Sequence, residues 1–166
     1  MSRLIKDRAI VDDSYTFVSL ADDGSLTLPA GDVLVSLATW QSHRDVLLAH
    51  PFGKGVQLKA DEFAEAISDD LDQLALVAIE FPAFADGRGY STAYTLRSRY
   101  GYKGELRAVG DVFKDTLFYQ QRSGFNAFAV RADKNIEDAL QALDTFSSPY
   151  QGTANDPAPL FRRRLA

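Results

Sequence analysis

The sequence predicts an α/β domain in which about five strand–helix units build a mainly parallel sheet, preceded by an N-terminal β-hairpin-like segment. Three observations carry this expectation. Beyond Pro29, short apolar runs alternate with segments of helical period, the pattern of βα units. The run Leu74–Phe81 is almost continuously apolar, as expected of a strand covered on both faces. The chain has 166 residues, 46% of them hydrophobic and 25% charged, a mixture that suits one globular domain with a sizeable core. The spacing fits either a half-barrel-like or a small doubly wound sheet, and both stay open. The domain is expected to span residues 1–148, with 1–30 as the hairpin-like extension and 149–166 as a Pro-containing basic tail.

Each element has its own signal. Ala9–Val11 and Tyr15–Val18 read as hairpin-like strands, separated by Asp12, Asp13 and Ser14. Val33–Ala38 is the first strand of the parallel set, and Ser42 with Asp45 forms a weak capping-box analogue opening a helix that ends before Pro51. Val56–Lys59 is the second strand; Asp61 then caps a helix with Phe63, Ala64, Ile67 and Leu71 on one face and with Asp69, Asp70 and Asp72 solvated. Leu74–Phe81 is the third strand, taken as central. A helix near Ser91–Tyr100 follows, then the strand Glu105–Val109, a helix capped by Asp111 and stopped by Gly124, the strand Phe125–Val130, and a helix opening at Asn135. Pro149, Gly152, Pro157 and Pro159 argue against regular structure in the tail, which is expected either to be mobile or to dock elsewhere; its end, Phe161, Arg162, Arg163 and Arg164, is read as solvated in preference to docking on an acidic partner.

Composition narrows the function classes. A formal net charge of -5 and scattered cations oppose a polyphosphate partner, so no nucleic acid is expected. The first residues lack an apolar signal core and no run is long enough to cross a bilayer, which makes a cytoplasmic protein without membrane contact the expectation. The chain has no cysteine, so it cannot ligate an iron–sulfur cluster through thiolates, and any redox role would need a borrowed cofactor. His43 and His50 have no third ligand nearby in sequence, so no metal site is expected.

In both architectures ligands bind where strands end and helices begin. The candidate ligand-binding residues there are Lys59, Gly87, Arg88, Gly89, Ser91 and Arg131. The sharpest motif is Asp86–Ser91: two glycines permit close approach, Arg88 offers a planar fork to an anion, and Ser91 can begin a helix. The bland alternative is a tight turn in which Asp86 bonds backbone amides and Arg88 pairs with a neighbouring carboxylate. Gly87 and Gly89 are followed by Thr92 where a dinucleotide fingerprint needs Gly, so no Rossmann site is read and the cofactor is left unknown. Asp86 and Asp111 are weak catalytic candidates as proton-transfer groups. Glu80 and Arg107 lie in or at the ends of strands, where unpaired charge is costly, so both are expected to meet partners, structurally or within a site. Tyr90, Tyr94, Tyr100 and Tyr102 are read as packing against the sheet.

The stretches Phe81–Ser91, Gly104–Val112 and Arg122–Phe125 resemble the bacterial domain of unknown function family 934, and the similarity extends from the Leu34 strand to Tyr150. Members carry the label of oxidoreductases linked to sulfite reduction, through the sulfate-assimilation genes beside them. The resemblance implies an accessory protein of assimilatory sulfite reduction, with sulfite reductase or another sulfate-assimilation protein, or a small anion, as partner. Whether it is an enzyme stays open: the alternatives are a small enzyme acting on an anionic metabolite and a catalytically silent scaffold.

Overall fold

Alternation along the strands decides the architecture, because it gives the sheet two unlike faces. The computed structural model describes residues 2–146 and 150–163. Eight strands form one sheet: β1 (Arg3–Lys6), β2 (Ala9–Asp12), β3 (Thr16–Val18), β4 (Val33–Ser36), β5 (Lys54–Leu58), β6 (Leu76–Phe81), β7 (Glu105–Gly110) and β8 (Ala127–Phe128). Their spatial order is β2-β1-β8-β7-β6-β5-β4-β3. From β3 to β8 the strands are parallel and follow chain order without a reversal. A doubly wound sheet needs such a reversal. The curled half-barrel is therefore the architecture, with β1 and β2 added antiparallel beyond β8.

Val33, Val35, Val56, Leu58, Val77, Ile79, Leu106, Ala108 and Phe128 face one side and pack in a single core with helix residues such as Trp40, Ala93, Leu96, Leu117 and Ala139. The alternate residues Leu34, Leu76 and Ala78 form a smaller cluster on the other face, against Tyr15 and Val109. Gly55 lies opposite Leu76 and beside Leu34; a Cβ there would come within 3.0 Å of Leu76 and 3.1 Å of Leu34, so glycine lets these side chains close over the strand.

The helices are α1 (Leu37–Ser42), α2 (Arg44–Leu48), α3 (Arg88–Ser98), α4 (Lys114–Ser123), α5 (Ile136–Ala142) and α6 (Leu160–Arg163), with a 3₁₀ segment at Ala64–Gln73. Several sequence expectations change. The N-terminal hairpin is β1–β2, turning on Asp7 and Arg8 at φ 47° and 66°, while β3 lies at the far edge beside β4. The turn is held from outside: the Asn126 side-chain amide donates to Asp7 Oδ1 at 2.9 Å. Strand β4 stops at Ser36 because its hydroxyl accepts from the Thr39 amide at 3.2 Å and opens α1 directly, so the Ser42–Asp45 box does not form.

Neither predicted aspartate cap forms. The 3₁₀ segment starts after Phe63 rather than at Asp61, and α4 starts after Phe113, whose amide donates to the Thr116 hydroxyl at 3.3 Å. Asp70 is not solvated but 7% exposed, accepting from the Trp40 indole at 2.8 Å and from Arg44. Gly124, at φ 116°, stops α4, and Asn135 caps α5 through the Asp138 amide at 2.9 Å. The tail docks on the domain, the Ala154 amide donating to Arg122 O at 3.0 Å, and α6 forms after Pro159 where regular structure was not expected, while Phe161 and Arg162 at its end are exposed. Pro149 and Arg164 lie outside the described residues. No helix among the described residues is long and apolar enough to cross a membrane.

Candidate functional site

The minor face of the half-barrel carries charge at its amino-terminal end. Strand alternation puts Glu105 opposite Leu76 and Arg107 opposite Ala78, on the face away from the helices. Their side chains are only 5% and 4% exposed. Burial of that depth demands complete pairing. Arg107 donates to Glu105 at 2.7 Å and to both Asp13 oxygens at 3.0 Å, and Lys6 reaches Glu105 at 2.8 Å. Tyr15 lies against the guanidinium at 5.4 Å; its hydroxyl is pushed up to about 12, first by burial and then by the charges of Asp32 and Glu105. Arg107 thus ties the N-terminal segment to the sheet, and its expected partners are structural.

At the carboxyl ends of the strands, most predicted site residues are already engaged. Asp86 accepts from the Arg88 amide at 3.2 Å and from its guanidinium at 3.0 and 2.6 Å. Arg88 therefore holds the Asp86 carboxyl below its usual range, which leaves it ionised and unsuited to donating a proton near neutrality. This is the tight-turn arrangement, and an anion would have to displace Asp86 to reach the fork. Gly89 belongs to α3, and a Cβ there would come within 2.9 Å of Phe81 and 3.0 Å of Ile79. Its role is close helix–strand packing. Gly87 precedes the helix, and a Cβ there would make only ordinary contact with Tyr90, at 3.7 Å. Ser91 joins Arg88, Phe63 and Thr92 around a cleft of about 260 Å³ between α3 and the 3₁₀ segment. Asp111 accepts from Arg131 at 2.7 Å, and Arg131 also grips Asp133 at 2.9 Å. The two carboxylates raise the Arg131 pKa, and its charge is spent between them.

Glu80 behaves differently from Arg107, against the expectation that both meet partners. It lies opposite Val109 on the minor face of the central strand and is partly buried, yet no hydrogen bond or ion pair reaches its carboxylate from the described residues. Gln57, opposite Ala78 on β5, is also partly buried and without a side-chain partner among them. Lys59 follows β5 just past the pair Leu58↔Ile79, which sets its backbone beside that of Glu80, and its ammonium is unpaired among the described residues. Gln57 was not singled out in the sequence. The signal was present as a polar residue inside the apolar run Val56–Leu58.

The family model described as "Bacterial protein of unknown function (DUF934)" matches residues 55–161. The chain belongs to that family. This DUF934 member has Gln57, Lys59, Glu80, Arg88, Arg107, Asp111 and Arg131 inside the matched span, while β1–β4 lie before it. No curated protein matches the chain. Among the described residues, no group of three or more His, Asp or Glu side chains is arranged to hold a metal ion. Around the carboxyl edge, Phe84 is 64% and Phe63 62% exposed, and the Phe84 and Phe113 rings touch at 5.7 Å between centroids.

Proposed function

We propose that this DUF934 protein serves assimilatory sulfite reduction as an accessory, with the carboxyl edge of the half-barrel as its working surface. Kinship to the family supports the pathway. The cysteine-free chain supports an accessory rather than the reductase, since it offers no thiolate to a cluster. The observation that carries the working surface is the contrast at the carboxyl strand ends: Arg88 and Arg131 are consumed by carboxylates, while the side chains of Glu80, Gln57 and Lys59 have no partner among the described residues. A partly buried carboxylate on a central strand is costly unless something completes it. That favours ligand engagement over a silent scaffold and moves the emphasis from residues 86–91 to the ends of β5 and β6. Exposed Phe63 and Phe84 on the same edge suit contact with a pathway protein.

A clean deletion strain tests the pathway. Growth should fail on sulfate and on sulfite and recover on sulfide or cysteine; equal growth on all four sulfur sources would remove the pathway from the account.

A further inference from the structure

The cleft between α3 and the 3₁₀ segment holds a buried hydroxyl that no described residue engages. Its volume is about 260 Å³; Phe63 and Glu65 line one wall, and Arg88, Ser91, Thr92 and Thr95 the other. Both charges are already matched, Arg88 by Asp86 at 2.6 Å and Glu65 by Arg99 at 3.4 Å. The hydroxyls are not. Ser91, Thr92 and Thr95 share a face of α3, and no hydrogen bond from the described residues reaches their side-chain oxygens. Ser91 is exposed, Thr95 partly buried and Thr92 only 5% exposed, so the wall has depth. The fully enclosed unpaired side-chain atoms among the described residues are Gln120 Nε2 and Arg122 Nε. The Thr92 oxygen is not one of them, and it therefore meets solvent through the cleft that it lines. Other clefts lack this feature. At the amino ends of the strands, Glu105 and Arg107 line a cleft of about 410 Å³ but satisfy each other, and the unpaired Lys114 and Asp115 beside α4 are exposed and hydrated.

The facing wall carries the Phe63 ring, 62% exposed. An open aromatic face set against hydroxyls that can each donate or accept is complementary to a flat ring with polar groups on its edge and no net charge. The volume suits one ring system and is too small for a dinucleotide. We propose that this cleft binds a nucleobase-type heterocycle, stacked on Phe63 with its polar edge on the hydroxyls of Ser91, Thr92 and Thr95. The ligand edge then completes the buried Thr92 hydroxyl, which the protein leaves unpaired. Because a hydroxyl serves either role, shape selects the ligand more than its donor pattern, and several such rings should bind. The inference is independent of the pathway and of Glu80, and it leaves Phe84 for the protein contact proposed above.

The test titrates the purified full chain with adenine, uracil and nicotinamide, all uncharged near neutral pH, by saturation-transfer NMR, with D-glucose as a ring that has hydroxyls but no aromatic face. At least two of the three should bind with Kd at or below about 1 mM, and glucose about tenfold more weakly or worse. Phe63→Ala should weaken binding about tenfold, and Phe63→Tyr should keep it. Thr92→Val should weaken binding about fivefold and leave the Tm of the free chain unchanged, because the deleted hydroxyl has no protein partner. AMP should gain less than about tenfold over adenine, since Asp86 already holds the Arg88 fork. The proposal falls if none of the three rings binds at millimolar concentration, if glucose binds as well as they do, or if binding is undiminished in Phe63→Ala or in Thr92→Val. A larger gain from the phosphate would make this an anion site instead, and a clear fall in Tm for free Thr92→Val would show that the hydroxyl has a structural partner; either result overturns it.

Discussion

Arg107→Ala probes how the N-terminal segment is fastened to the half-barrel. The guanidinium is 4% exposed and divides its donors between Glu105 and Asp13. Deleting it leaves Glu105, itself 5% exposed, with Lys6 as its only ionic partner among the described residues, and empties the space under the Tyr15 ring. Breaking a buried pair from one side costs about 3–5 kcal/mol. At about 2–4 °C per kcal/mol for a chain of this size, Tm should fall by about 6–20 °C. Urea denaturation followed by fluorescence of the single tryptophan, Trp40, measures the loss, since Trp40 is 1% exposed and hydrogen-bonded to Asp70. The double variant Glu105→Leu/Arg107→Met should recover most of it, because the uncompensated charge disappears with its partner while Asp13 and Lys6 keep access to water. A loss below about 1 kcal/mol for Arg107→Ala would place the network among screened surface pairs and refute the fastening argument.

The two glycines of the 86–91 motif should separate cleanly. Gly89→Ala drives α3 off Phe81 and Ile79 and should cost about 1–3 kcal/mol in urea denaturation, whereas Gly87→Ala meets only Tyr90 at 3.7 Å and should be nearly neutral; equal effects would contradict the packing role of Gly89. Gly110, at φ 90° with the Phe81 carbonyl where a Cβ would stand, should tolerate alanine worst, which soluble expression and Tm would show. Asp70 sets part of the acid limb of stability. Hydrogen bonding from Arg44, aided by the Trp40 indole and opposed by burial, holds its folded pKa below the ordinary 3.8. Its contribution is therefore complete above about pH 5 and disappears as pH falls through that depressed value. Asp70→Asn should flatten the stability profile below about pH 5, and an unchanged acid limb would contradict the assignment.

What the sequence disclosed was local. The β6 run, the Asn135 cap and the Gly124 stop depend on residues within a few positions of one another, and all three stand in the structure. The β1–β2 turn was hidden because Asp7 and Arg8 adopt positive φ without an Asn-Gly or Asp-Gly signal, with Asn126 supplying the support from far along the chain. The position of β3 depends on pairing with β4 across Asp32, which alternation within β3 cannot reveal. Asp70 looked solvated because its partner Arg44 lies 26 residues away. The same limit governs the site. Sequence placed Glu80 and Arg107 on strands and predicted partners for both, but the register gives Arg107 two carboxylates and gives Glu80 only Val109.

The most direct measurement is growth on sulfite as sole sulfur source of a deletion strain carrying either the parent chain or Glu80→Gln, at matched protein levels. The account predicts that the parent restores growth and Glu80→Gln does not, although its purified form is folded and at least as stable. Equal restoration by both would contradict the claim that the protein serves sulfite reduction through the carboxyl edge of its half-barrel.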